Sequence, residues 1–219
     1  MKKISLFIIL LLLGFNLKSQ DLIYDESNVS EVWSGFTLKK KLSKKLTLNL
    51  DDQIRINAGI KEVRVNFMEV GLKYKVYKNL SVKVQYRYSL RTNLRNTKRI
   101  SFDVSNKWKI KRLKLELKYR ARFQNAIVEY TGQNITYGRN QFSISYKINK
   151  KWSPYASYES FFKFNDNKEF RSNRYNLGIE YTVNKRLSWN GFIQYDQELN
   201  VKNPVSRSVI GVLLVYKLK

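Results

Sequence analysis

Histidine and cysteine are both absent from this 219-residue chain. Their absence excludes Ser-His-Asp hydrolysis, Cys-His nucleophiles, zinc held by histidine or thiolate, and disulfides. Proline occurs only at Pro154 and Pro204, too rarely for a loop-rich or disordered chain. Past the first 20 residues no apolar run nears the roughly 18 residues a spanning helix requires. Acidic residues are scarce, 17 against 42 Lys and Arg, for a formal charge of +25.

The chain opens with a short basic stretch, Met1-Lys2-Lys3, followed by an apolar run from Ile4 to Phe15 and a small residue at Ser19. That order is a secretory signal peptide over residues 1–19, cut near Ser19, with no Cys behind it to take a lipid. Residues 20–219 then read as one domain, since no Pro/Gly/Ser-rich linker divides them. Removing Lys2, Lys3 and Lys18 leaves a charge of about +22. A soluble protein this basic would point to nucleic acid, but an exported one meets anionic lipid and lipopolysaccharide phosphates instead. No nucleic-acid partner is therefore expected.

The strongest signal has period two. Leu113, Leu115, Leu117, Tyr119, Ala121 and Phe123 alternate with Lys114, Glu116, Lys118, Arg120, Arg122 and Gln124. A strand places such residues on opposite faces, one in an apolar medium and one in a polar medium. Eleven segments show this pattern, near 33–41, 45–57, 63–76, 80–90, 98–110, 113–124, 135–147, 152–163, 172–183, 187–197 and 206–218. Many run 10 to 13 residues, about twice the usual globular strand, which suits a tilted bilayer crossing. Tight polar turns such as Ser43-Lys44 and Asn184-Lys185-Arg186 alternate with longer links near 57–62, 91–97, 125–134, 164–171 and 198–205. Short turns at one rim and long loops at the other predict an up-and-down antiparallel transmembrane β-barrel of the outer membrane.

Aromatics decide which face meets lipid. Toward the tight turns the apolar face carries Tyr74, Trp108, Tyr146, Trp152, Tyr181, Trp189 and Tyr216; toward the other end it carries Tyr88, Phe123, Phe162, Tyr175 and Tyr195. Between them it is mainly aliphatic, with Val82, Val84, Leu115, Ile144, Leu177 and Ile193. Two aromatic girdles around an aliphatic belt match the two interfaces of a bilayer. From Trp152 to Phe162 the strand runs roughly 33 Å, or about 25 Å along the normal at a tilt near 40°. That equals the required thickness.

Single-chain bacterial barrels usually have an even number of antiparallel strands. Eleven would bring the first and last together in parallel, so a weak twelfth strand is expected within Asp21–Glu31, giving about 12 strands with 10 as the lower bound. Asp52 falls on the lipid side of its strand, where a carboxylate is costly, so a bulge or a protein contact is expected there.

The opposite face is basic. Arg87, Lys118, Arg120 and Arg122 form its candidate lumen cluster, beside Arg55, Lys83, Lys107 and Arg174 and seven acids, Asp51, Glu69, Asp103, Glu116, Glu159, Glu180 and Asp196. Two readings stay open, a narrow anion-preferring pore lined by Arg87, Arg120 and Arg122 or an interior filled by mutual ion pairs. About twelve strands lie between filled eight-stranded barrels and open porins, which favours the filled interior. At the long-loop rim Arg91, Arg95, Lys98, Arg99, Lys168 and Arg171 are placed to pair with lipopolysaccharide phosphates. No spacing singles out a catalytic carboxylate pair, and no cofactor or metal is implied.

Several segments carry a family resemblance in order along the chain. They are Trp33-Ser34-Gly35-Phe36 leading into Lys41-Leu42-Ser43-Lys44-Lys45-Leu46, then Glu69-Val70-Gly71-Leu72-Lys73-Tyr74 and Tyr86-Arg87-Tyr88, then Leu177-Gly178-Ile179-Glu180-Tyr181 and Gly191-Phe192-Ile193-Gln194-Tyr195. Together they resemble uncharacterised outer-membrane β-barrels of Bacteroidetes, known as domain of unknown function 2490. The resemblance implies the fold and the outer-membrane location, and no activity. The reading is a non-enzymatic outer-membrane barrel with a structural or passive small-solute role. The alternative is a binding barrel whose basic outer loops capture an anionic glycan or lipopolysaccharide.

Overall fold

A computed structural model describes residues 28–59, 61–165 and 168–218. The expected leader and most of the segment Asp21–Glu31 lie outside these residues. The described chain forms eleven strands: β1 (Asn28–Lys41), β2 (Leu46–Asn57), β3 (Glu62–Lys75), β4 (Leu80–Arg91), β5 (Thr97–Ile110), β6 (Leu115–Val128), β7 (Asn134–Tyr146), β8 (Trp152–Lys163), β9 (Glu169–Thr182), β10 (Leu187–Glu198) and β11 (Ser206–Leu218). Each pairs with its sequence neighbours in antiparallel fashion, and the sheet closes into a barrel. All eleven segments read from the alternation are present.

The count of twelve is corrected to eleven. Residues 28–31 belong to β1, and β1 pairs directly with β11 in parallel, from Asn28↔Ser206 to Lys40↔Leu218. Both edges are thereby satisfied, and no gap remains in the wall for another strand. A parallel ladder has evenly spaced, slanted hydrogen bonds, so it can close a barrel whose first and last strands run the same way. An odd strand number has a precedent in a 19-stranded mitochondrial barrel.

The rims also differ from expectation. Connections at one rim are 42–45, 76–79, 111–114, 147–151 and 183–186, and at the other 58–61, 92–96, 129–133, 164–168 and 199–205. Four or five residues thus face four to seven, because the ladder runs on to Val128 in β6 and begins at Glu169 in β9. At 111–114 the predicted start of β6 becomes a 3₁₀ turn over Lys111–Leu113 with Lys114 left-handed at φ 55. Three turns at this rim share one device. Ser43 Oγ accepts from the backbone N–H of Lys45 and Leu46, Asn149 Oδ1 from Lys151 and Trp152, and Asn184 Oδ1 from Arg186 and Leu187. A short polar side chain that bonds its own backbone two and three residues on stabilises such a turn without a glycine.

Burial is inverted relative to a soluble protein. Glu31 and Glu159 are 2% exposed, whereas Met68 is 70%, Ile210 64% and Val84 52% exposed. Apolar side chains facing out and charged ones facing in require an acyl-chain exterior, since in water this arrangement would forfeit the hydrophobic driving force. The tight-turn girdle is continuous, with Trp152 against Tyr181 at 4.3 Å and Tyr181 against Trp189 at 5.7 Å between ring centroids. At the other rim Phe164 and Phe170 pack on Phe162, each at 5.2 Å. Asp52 does face outward, opposite Phe36 and Met68, with no bulge beside it. Its Oδ1 is buried and has no hydrogen-bond partner. The bulge lies further along, between Arg55 and Ile56, where Arg64 is the additional residue of β3.

Candidate functional site

The lumen is organised around carboxylates that collect guanidinium groups from neighbouring strands. Glu69 on β3 accepts from Arg87 Nε at 2.8 Å and from Arg99 at 3.0 Å. Asp103 on β5 accepts from both arms of Arg122 on β6, at 2.6 and 2.7 Å. Glu159 on β8 accepts from Arg120 at 2.6 Å and from Arg139 Nη2 and Nε at 2.7 and 3.1 Å. Asp196 on β10 holds Arg174 at 2.8 and 2.7 Å. Nearer the loop rim Glu31 takes Arg64 at 2.8 Å and the Trp33 indole N–H at 2.7 Å. Several of these pairs stand directly opposite in register, as with Glu69↔Arg87, Asp103↔Arg122 and Arg174↔Asp196. Opposite charges at facing positions of adjacent strands stabilise the ladder that joins them.

Aromatic rings also enter the lumen. Trp33, Phe192 and Val209 form a small apolar cluster flanked by Leu213, with Trp33 edge-on to Phe192 at 6.2 Å. A Cβ added at Gly211 would lie 2.1 Å from Phe192 Cζ, so glycine provides the space for that ring. The arginines lie over such rings. Arg87 sits 3.4 Å from the centroid of Phe67, Arg139 4.3 Å from Phe161, and Arg55 3.7 Å from Trp33. A guanidinium stacked on a ring keeps its in-plane N–H edge for an anion.

Two spaces result. A central cavity of about 450 Å³ lies among these groups, and a basic vestibule of about 1090 Å³ opens toward the tight-turn rim; Tyr155 lines both. The vestibule carries nine lysines against Glu116 and Glu180.

The predicted cluster is divided between them. Arg87, Arg120 and Arg122 line the central cavity, each already bonded to a carboxylate. Lys118 points into the vestibule. Arg99, expected at the rim, turns inward to Glu69. Arg139, Glu31, Arg64 and Arg207 complete the mesh without having been predicted. Phase alone would have found all but Arg64, because Arg139 alternates in step with Gln141, Glu31 with Thr37 and Lys39, and Arg207 against Ile210, Val212 and Leu214, whereas Arg64 is the extra residue of the bulge. The lumen aromatics break the expected polarity, and their signal is that same breach: Phe67 is in step with Glu69, Phe161 with Glu159, Phe192 with Gln194. Of the rim cations, Lys98 pairs with Glu129 at 3.0 Å and Arg171 with Glu169 at 3.1 Å.

A family described as "Protein of unknown function (DUF2490)" matches residues 30–206. No curated protein matches the chain. Among solved structures the NanC porin is similar at 14% identity and a TM-score of 0.56, over 86% of this chain and 99% of that one. LpxR from Salmonella typhimurium is similar at 9% identity and 0.53, over 83% and 87%. A bacterial polysaccharide outer membrane secretin is similar at 7% identity and 0.53, over 82% and 67%. At these identities the likeness is one of barrel fold.

Proposed function

The chain belongs to DUF2490, a family of proteins of unknown function, and from that premise we propose that it is a passive outer-membrane conduit for small anionic solutes. The single observation that carries this reading is the vestibule, where nine lysines oppose two glutamates inside a low-dielectric wall. Such a funnel concentrates anions and repels cations over several ångströms, beyond any one contact. Behind it the arginine–carboxylate mesh narrows the path and admits only small solutes. The mesh also rigidifies the barrel, which unites the two interior readings: the wall is braced by ion pairs, and an excess of positive charge remains.

Catalysis has no place in this proposal. The cavity carboxylates Glu69 and Glu159 are each committed to two or more arginines, and the chain has neither histidine nor cysteine. Capture of a glycan or lipopolysaccharide by the loop rim has less support, because Lys98, Arg99 and Arg171 are already engaged. Arg95 and Lys168 remain there to meet lipid A phosphates of the surrounding leaflet.

Planar-bilayer recording across a potassium chloride gradient tests the conduit. The reversal potential should lie toward the chloride equilibrium value. A folded barrel that passes no current, or one that prefers potassium, would overturn the reading.

A further inference from the structure

One cation in the central cavity lacks the partner that its neighbours have. Arg87, Arg99, Arg120, Arg122, Arg139 and Arg174 all bond to carboxylates. No carboxylate stands within ion-pair distance of Arg55 among the described residues. Its one hydrogen bond, to Gln53 Oε1, stretches to 3.5 Å, and its Nε is buried without a partner. Its plane nevertheless is held, 3.7 Å above the Trp33 ring and 5.2 Å from Phe67. Facing the same cavity, Gln194 Nε2, Arg99 Nε and Arg120 Nε are also buried donors without an acceptor, but the two arginines reach carboxylates through Nη2, which Arg55 does not. Unpaired donors in a place removed from bulk water are costly unless something accepts from them.

We infer that the central cavity binds a small organic carboxylate, whose two oxygens take the outward N–H edge of Arg55. A carboxylate is planar and matches the guanidinium fork with two parallel hydrogen bonds, coplanar with a group already stacked on Trp33. A space of about 450 Å³ accommodates an acid of a few carbons together with its water. Each of the remaining cavity cations already has a carboxylate partner in the wall, so the guanidinium fork left open to a solute is that of Arg55. Trp33 and Phe67 fix the guanidinium plane before the ligand arrives, which spares the entropy of ordering a long side chain. This inference rests on the lumen being a solute path, and it names the solute class.

The test uses the full mature chain folded in detergent micelles. Trp33 faces the lumen while Trp108, Trp152 and Trp189 face lipid, so intrinsic fluorescence compared with a W33F control isolates the Arg55 site. Sodium acetate and sodium succinate are titrated at fixed ionic strength, with chloride and phosphate as parallel arms. Both carboxylates should give a saturable change that W33F lacks, and Arg55→Gln should weaken it by about ten- to a hundredfold, the loss of one charge-assisted bidentate contact. Arg55→Lys keeps the charge without the fork and should also weaken binding, which covers the case that Arg55→Gln does not fold. The inference is overturned by no saturable change in the wild type, by one that persists in both variants, or by an equal response to chloride or phosphate. Carboxylate binding in a barrel that conducts nothing would remove the conduit and leave the site. Conduction without a saturable response would do the opposite.

Discussion

Arg122 stands directly opposite Asp103 across the β5–β6 ladder and grips both of its carboxylate oxygens, at 2.6 and 2.7 Å. Both side chains are buried, so neither charge can turn to water if the other is removed. Asp103→Asn should therefore cost about 3–5 kcal/mol, the usual consequence of leaving one member of a buried pair uncompensated. The temperature at which the compact, unboiled gel band disappears reads this loss. Replacing both residues together (Asp103→Leu with Arg122→Met) should recover most of the stability, because an apolar pair of similar volume avoids the desolvation cost. Equal losses in the single and double variants would show that the pair stabilises through something other than mutual charge.

Lipid-facing and lumen-facing tryptophans should respond differently to quenchers carried on acyl chains. Trp152 and Trp189 lie in the tight-turn girdle in ring contact at 6.1 Å, whereas Trp33 is buried inside the barrel. Lipids brominated near the headgroup should quench a protein keeping only Trp152 strongly and one keeping only Trp33 weakly. The reverse order would place the apolar face inside and refute the membrane reading.

Lys73, Lys107 and Lys118 contribute to the vestibule charge. Changing all three to Gln should move the reversal potential in a salt gradient toward zero, with little effect on the folded gel band. The difference between wild type and variant should shrink as salt rises, since screening shortens to about 3 Å at molar ionic strength. A variant as selective as the wild type would assign selectivity to the central arginines instead.

Gly211→Ala tests the packing of Phe192 against Trp33. The new methyl would overlap the Phe192 ring, whose Cζ lies 2.1 Å from its position, so the ring must swing into the cavity. Overpacking of this kind costs about 1–3 kcal/mol. A lower unfolding temperature with reduced conductance is the expected outcome. Restored stability in Gly211→Ala combined with Phe192→Leu would confirm the cause.

Glu129, just past the end of β6, is held below the usual carboxylate range by its hydrogen bond to Lys98. A carboxyl depressed in the folded state contributes stability that is present above its unfolded pKa and lost as pH falls through the folded value. Ordering of the 129–133 connection should thus hold at neutral pH and weaken only in acid. Carboxyl chemical shifts from NMR in micelles should put its midpoint below the ordinary glutamate value of about 4.3. Lys98→Gln should raise that midpoint, and an unchanged one would dissociate the contact from the shift.

Strand positions were largely legible from the amino acids alone. The reason is local: in an extended chain each side chain points opposite to its neighbour, so a lipid-facing row and a lumen row write alternate letters. Val84, Leu117 and Ile193 could be placed outside by this rule, and Arg120, Arg122 and Asp103 inside. Partners were not legible. Arg122 could have met a carboxylate on either adjoining strand, and only the register of β5 with β6 selects Asp103. Arg99 was read as a rim residue because its ladder position was unknown, and Trp33 and Phe67 were missed inside because a ring in the polar row reads as an irregularity.

By itself, then, the order of residues determined the class of fold, the outward face and the surplus of positive charge, all of which follow from period, composition and the bilayer's two interfaces. Only the closed barrel decided that eleven strands suffice, that β1 meets β11 in parallel, and that Arg55 is left without a carboxylate. Those depend on contacts between residues far apart in the chain, where stagger and closure set who faces whom. A periodic sequence determines the side on which a group lies, but its neighbour across the lumen is fixed in three dimensions.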